Sequence, residues 1–167
     1  HGDKYILNGH KRFITNGEVA EYITVFALAD PERGSRSLSA FAVQKDTPGI
    51  TMASRLDKMG QRASVQNEIK FENAEVPAQN LIGGEGYGFL IAMKTFDRTR
   101  TGVAAAAIGN AQAAYDYSRE WAKKRIQFGH PVTNLQGVSF MLADMATEIE
   151  AARMLVWRAA WAYDTQQ

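Results

Sequence analysis

A chain of 167 residues, 46% hydrophobic and 22% charged, is long enough to bury a real core as one domain or two small ones without covalent staples. Lys and Arg number 19 against 18 Asp and Glu, a formal charge of +1, which gives no electrostatic basis for binding nucleic acid or an anionic membrane. Cysteine is absent, so disulfides, thiol catalysis and zinc–thiolate sites are excluded.

No apolar run reaches membrane-spanning length, and no stretch has the pattern of a signal peptide. The chain opens on His1 and stops at Asp164-Thr165-Gln166-Gln167 without a helix-ending glycine or proline, so a piece of a longer protein is expected. Residues 1 to about 82 read as strands. Tyr5–Leu7 leads into Asn8-Gly9, a strong hairpin signal, and Lys11–Thr15 is the expected return. A second Asn-Gly, Asn16-Gly17, either closes another hairpin or marks a strand end where something binds. Tyr22–Ala29 is continuous, apolar and β-branched; a polar loop, Asp30–Ser37, comes after it. Leu38–Gln44, a Pro-Gly turn at Asp46–Gly49 and Ile50–Ser54 come next, then Glu68–Phe71 and Ala74–Val76 as one bent strand ending at Pro77. Short strands at roughly 8–12-residue spacing predict an antiparallel barrel or sandwich rather than βαβ units.

Gly83-Gly84-Glu85-Gly86-Tyr87-Gly88 marks a change of period. Phe89 to about Arg125 has no proline and carries the alanines 104–107, so it predicts a long helix, with Phe96, Val103 and Ala107 near one face. Gly102 and Gly109 inside it suggest a close neighbour. Phe128-Gly129-His130-Pro131 breaks the helix, and Thr133 or Asn134 is placed to cap a second one. Its apolar stripe is Leu135, Val138, Met141, Leu142, Met145, Ile149, Ala152 and Val156. Two such helices have more apolar face than they can cover for each other. The expected architecture is α+β: an antiparallel β-barrel or sandwich domain over residues 1–83, N-terminally incomplete, then part of an up-and-down four-helix bundle over 84–167.

Single motifs are ambiguous. The glycine cluster lacks the Lys-Ser/Thr ending of a P-loop and its glycines are spaced by two, which favours a hinge between domains. His1, His10 and His130 have no metal spacing, and surface or loop histidine is the default reading. Arg125, at a helix C-terminus, either complements the helix dipole or offers its planar fork to a phosphate. Asp97 and Arg100, three apart, suggest an intrahelical ion pair; Thr99 and Arg100 lie beside the apolar face, where a polar pocket could form.

Taken in order, Tyr5-Ile6-Leu7-Asn8-Gly9-His10-Lys11-Arg12-Phe13-Ile14-Thr15-Asn16-Gly17, Met59-Gly60-Gln61-Arg62, Val76-Pro77, Asn80-Leu81-Ile82-Gly83, Phe96-Asp97-Arg98-Thr99-Arg100, Arg125-Ile126-Gln127-Phe128-Gly129, Leu135-Gln136 and Phe140-Met141-Leu142-Ala143-Asp144-Met145-Ala146 resemble the acyl-CoA dehydrogenase family, closest in flavour to the medium-chain enzyme. Each motif alone is weak; the ordered set runs the length of the chain. The resemblance implies most of the family's middle β domain and the first half of its C-terminal bundle. Segments of Thr-Glu-Pro and Gly-Ser-Asp type, which hold flavin, would lie upstream of His1. The carboxylate base would lie downstream of Gln167, because the position used by a minority of the family on the first bundle helix matches Thr99, which is not a base. The fragment alone would then be inactive and hold no catalytic residue.

The same resemblance assigns FAD as cofactor. Phe13, where tryptophan is frequent, would lie against the flavin ring, and Thr15 would hydrogen-bond near N5. Arg125 would reach the pyrophosphate of a flavin held mainly by a partner subunit, with Phe128 and Gln136 at its adenosine half; Leu135 and Gln127 are also assigned to the cofactor site. Gln127 replaces a small hydroxyl residue. Phe96, Asp97, Thr99 and Arg100 would contact the acyl-CoA substrate or order the active site. The implied partners are an electron-transfer flavoprotein and further copies of the chain, as homodimer or homotetramer. The implied setting is fatty acid β-oxidation in bacterial cytoplasm or the mitochondrial matrix. Rival readings are an acyl-CoA oxidase or flavin monooxygenase on the same scaffold, and a non-catalytic, flavin-free homologue.

Overall fold

The computed structural model describes residues 2–165; His1, expected to be a surface histidine, and the terminal Gln166-Gln167 lie outside them. The chain divides into two compact units, His1–Met93 and Lys94–Gln167.

The first unit contains β1 (Lys4–Thr15), β2 (Tyr22–Leu28), β3 (Leu38–Gln44), β4 (Ile50–Arg55), β5 (Gln66–Pro77) and β6 (Leu81–Ile82). They form two antiparallel three-stranded sheets, β1-β5-β4 and β2-β3-β6. Of the two expected forms, sandwich is the one found, because among the described residues no strand pairing joins the sheets into a barrel. Leu7, Ile69, Phe71, Ala74 and Val76 from one sheet meet Ile23, Val25, Phe41 and Val43 from the other. Burying side chains such as Ile69 and Val43 stabilises the unit by about 1.5–3 kcal/mol each.

Asn8-Gly9 does not close a hairpin. β1 runs straight through it, and its partner is β5, some 60 residues later in the chain. Leu7 opposes Ala74 and Gly9 opposes Phe71, so two steps on β1 meet three on β5. The extra residue forms a bulge at Asn73, whose φ is 51°; Asn8 Oδ1 accepts from its backbone N–H at 2.7 Å. The bulge also inverts the inward phase of β5, from Asn67, Ile69 and Phe71 to Ala74 and Val76. The polar loop after β2 is two short 3-10 turns kinked at Gly34. In the glycine cluster, a Cβ on Gly86 would lie 2.5 Å from Arg36 O and one on Gly88 2.8 Å from Leu38 O. These glycines are fixed by close backbone approach.

α1 (Gly88–Lys124) begins in the first unit and continues into the second, where a tight hairpin, β7 (Ile126–Gln127) and β8 (His130–Pro131), leads to α2 (Gln136–Asp164). Phe128 and Gly129 at the hairpin tip both have positive φ, 53° and 82°, as a two-residue turn matched to strand twist requires. Neither Thr133 nor Asn134 caps α2. Both lie in a 3-10 turn, Val132–Asn134, and the N-cap is Leu135, without a side-chain bond. α1 and α2 run antiparallel: Ala105, Ile108 and Gly109 line a cleft with Arg153, Val156 and Trp157, whereas Tyr117–Ala122 face Val138–Met145 across a groove of about 580 Å³. The shielded face of α1 carries Thr101, Ala104, Ile108, Gln112, Tyr115, Arg119 and Ala122. The face expected from Phe96, Val103 and Ala107 is exposed, and among the described residues no neighbour outside the helix's own local backbone comes within 4 Å of a Cβ built on Gly102 or Gly109. Phe140, Met141, Leu155, Trp157 and Trp161 are likewise exposed on α2, apolar surface that the α1–α2 pair leaves uncovered.

Candidate functional site

The end of β1 is irregular where the sequence places Phe13 and Thr15. Lys11 opposes Ile69 and Ile14 opposes Asn67, so Arg12 and Phe13 together face Glu68 in a second bulge. Phe13 takes φ 58°, uncommon for a bulky residue, and is 63% exposed. The Arg12 guanidinium stacks 5.3 Å from its ring centroid and bonds through Nε to Glu68, which His10 Nε2 also approaches at 3.2 Å. Thr15, the last residue of β1, opposes Gln66, and its Oγ1 accepts a long bond of 3.4 Å from Gln66 Nε2. The Thr15 hydroxyl donates to no described residue.

The Asn16-Gly17 turn carries the chain from one sheet to the other instead of closing a hairpin. Asn16, at φ 61°, donates its N–H to Val65 O at 2.9 Å. Asn67, 1% exposed, anchors the chain just beyond this turn: its Oδ1 accepts from the Glu18 N–H at 3.0 Å and its Nδ2 donates to Glu18 Oε2 at 3.0 Å. Arg55 lies 3.6 Å from the other Glu18 oxygen. Sequence reasoning missed Asn67 and Glu18. The available signal was an amide in the inward phase of Asn67-Ile69-Phe71, since a buried amide must find partners.

In the second unit, Arg125, Gln127, Phe128, Leu135 and Gln136 gather around the β7–β8 hairpin. The Val132 N–H donates to Arg125 O at 2.9 Å, closing the hairpin base. Phe128 at the tip is 86% exposed, Arg125, Gln127 and Gln136 are exposed, and Leu135 is half-buried. The Arg125 guanidinium forms no ion pair among the described residues. Phe96, Asp97, Thr99 and Arg100 form a separate set, about 38–44 Å away along α1 at its rise per residue. All four are exposed, so burial of Thr99 and Arg100 within this unit is not found. No Asp97–Arg100 ion pair forms; Arg100 stacks 5.3 Å from the Phe96 ring centroid instead, and Thr99 Oγ1 donates to Thr95 O at 3.0 Å.

Elsewhere in the first unit, Tyr5 donates to Glu85 Oε1 at 2.6 Å beside a cavity of about 300 Å³. That bond raises the Tyr5 pKa above its ordinary value, with burial and the Glu85 charge adding to it. Among the described residues no cluster of His, Asp or Glu could hold a metal ion, and no helix is long and apolar enough to cross a membrane.

Residues 1–74 match the acyl-CoA dehydrogenase middle domain, and residues 86–167 match the acyl-CoA dehydrogenase C-terminal domain. The chain is 51% identical over 159 residues to cyclohex-1-ene-1-carbonyl-CoA dehydrogenase of Geobacter metallireducens, covering 95% of this chain and 42% of that protein. Butyryl-CoA dehydrogenase of Megasphaera elsdenii superposes at TM-score 0.95 with 46% identity, over 100% of this chain and 44% of that one. A chain in a structure of the electron transferring flavoprotein of Acidaminococcus fermentans also gives TM-score 0.95, with 48% identity over 100% of this chain and 44% of its own. The chain thus spans less than half the length of these relatives. With both domain models matched in order along nearly the whole sequence, the chain belongs to the acyl-CoA dehydrogenase family.

Proposed function

We propose that the protein to which this chain belongs is an FAD-dependent acyl-CoA dehydrogenase, removing hydrogen across the α,β bond of an acyl-CoA thioester. The observation that carries the reading is the ordered match of both units to two domains of one enzyme family, at 51% identity to a Bacillus subtilis relative named acyl-CoA dehydrogenase.

The residues fit a flavin. Thr15 has an unspent hydroxyl hydrogen, Phe13 presents an exposed ring from a bulge, and Arg125 and Phe128 stand exposed at a hairpin. Phe13 would lie against the flavin ring, and Thr15 would donate near N5, where charge assistance favours the reduced, anionic ring. Arg125 would grip the pyrophosphate, with Gln127, Phe128, Leu135 and Gln136 around the adenosine half in a dimer or tetramer. Bound flavin supplies a hydride acceptor for the β-carbon. Phe96, Asp97, Thr99 and Arg100 would contact the acyl-CoA, fixing its orientation. The α-proton goes to a carboxylate outside this fragment. An electron-transfer flavoprotein is the proposed electron acceptor, in bacterial cytoplasm or the mitochondrial matrix.

The test uses the full-length protein under anaerobic conditions. Acyl-CoA thioesters of graded length should bleach its flavin absorbance, and an electron-transfer flavoprotein should restore it. A colourless protein, or a flavin that no acyl-CoA bleaches, overturns the reading; in a parallel aerobic assay, rapid oxygen consumption in place of flavoprotein reduction would assign an oxidase.

A further inference from the structure

Thr15 would have little value as a hydrogen-bond donor if its hydroxyl could turn freely. Nothing in its own strand prevents that, because it is the exposed last residue of β1. The restraint comes from β5. Gln66 Nε2 donates to Thr15 Oγ1 at 3.4 Å, which takes up one of the oxygen's two lone pairs and turns the hydrogen away from Gln66. The next residue, Asn67, is paired with Ile14 and turns its buried amide under the adjoining turn. Both polar ends of that amide go to Glu18, one to its backbone N–H and one to its carboxylate. Gly17 packs closely beneath it; a Cβ there would sit 3.3 Å from Asn67 Cβ, a tight contact. Thr15 is therefore bracketed by Ile14, registered on Asn67, and by Asn16, bonded to Val65 O.

We propose that Gln66 and Asn67 are positioning residues for Thr15: Asn67 fixes the turn that ends β1, and Gln66 sets the Thr15 hydroxyl as an outward donor. This rests on the reading of Thr15 as a flavin contact. Neither residue touches flavin in the proposal; both act through Thr15.

The experiment compares Thr15→Val, Asn67→Ala, Gln66→Leu and the Thr15→Val/Asn67→Ala double variant in the full-length protein. Three quantities are read: the two-electron midpoint potential of the bound flavin, amide hydrogen exchange at residues 15–19, and Tm. Thr15→Val should weaken the preference for reduced flavin about tenfold, moving the potential about 30 mV more negative. Asn67→Ala should move it in the same direction and speed exchange of the Glu18 amide by roughly tenfold, the loss of one hydrogen bond. The double variant should move the potential no further than Thr15→Val alone, because one contact cannot be lost twice. Gln66→Leu, which disturbs no buried group, should shift the potential with little change in Tm.

If Asn67→Ala and Gln66→Leu alter Tm or exchange while the potential stays put, and Thr15→Val moves it, the two residues are merely structural and the proposal fails. Additive shifts in the double variant would also overturn it. A Thr15→Val protein with unchanged potential removes the flavin contact itself, and this inference with it.

Discussion

Arg153 on α2 donates from Nη2 to Gln112 Oε1 on α1 at 2.6 Å, a polar bond between the two helices. Gln112 is held in turn by donating from Nε2 to Asp116 at 3.1 Å, and Arg153 Nε pairs with Glu150 at 3.2 Å. Hydrogen bonds to a charged group contribute about 1.5–3 kcal/mol net. Arg153→Ala in the full-length protein should therefore cost about that much stability, read as a lower midpoint in urea with an unchanged slope. Glu150→Ala, which removes only an exposed i,i+3 pair, should cost less than about 0.5 kcal/mol.

The turn between β3 and β4 is equally specific. Gly49 has φ 88°, and a Cβ there would sit 2.3 Å from Glu72 O, whose own N–H donates to Gly49 O at 2.8 Å. Gly49→Ala must both enter the left-handed region and push back the β5 backbone. A loss of about 2–4 kcal/mol is expected, seen as a fall in Tm. Gly137→Ala, with nothing within 4 Å of the added atom and an ordinary φ, should be neutral or slightly stabilising.

Arg125→Ala in the full-length protein should leave Tm of the flavin-free form unchanged, because the side chain is exposed and forms no ion pair among the described residues. Flavin affinity should fall about 10- to 150-fold, the loss of one charge-assisted bond. Titration of flavin-free protein with FAD checks this. Unchanged affinity would return Arg125 to the plainer role of complementing a helix C-terminus.

Tyr5 carries the pH prediction. Its pKa is raised, chiefly by the hydrogen bond it donates to Glu85. A raised folded-state pKa means that the neutral form is favoured by folding. Its stabilising contribution is fully present below the ordinary tyrosine pKa of about 10, and is lost as pH rises through the raised folded value. Glu85→Gln should lower the pH at which the Tyr5 tyrosinate absorbance appears and remove that part of the alkaline stability loss. A Tyr5→Phe variant identifies which tyrosine signal is being followed.

Thr15 and Phe13 were legible in the sequence as candidate contacts, but the means of holding them was not. The bulge that gives Phe13 its left-handed backbone exists only because β1 pairs with β5, and the amide that fixes the turn after Thr15 sits on that same distant strand. Asn8-Gly9 misled for a related reason. Local turn chemistry favours a hairpin there, but the residues serve a bulge between strands that only the folded sheet brings together. Similarly, Arg100 had an acidic neighbour at pairing distance in sequence, and in the helix it lies over Phe96 instead.

The sequence by itself determined most of the longer strands and both long helices, their order and the change from strand to helix near the glycine cluster. The expected helix from Phe89 to about Arg125 differs from the observed Gly88–Lys124 by one residue at each end. Periodicity and breakers are local properties, written within a few residues of where they act. Strand partners, the two bulges, the Asn67–Glu18 clamp and the faces left exposed were decided only by tertiary structure. Each depends on residues tens of positions apart meeting in register, and no short-range pattern encodes that meeting.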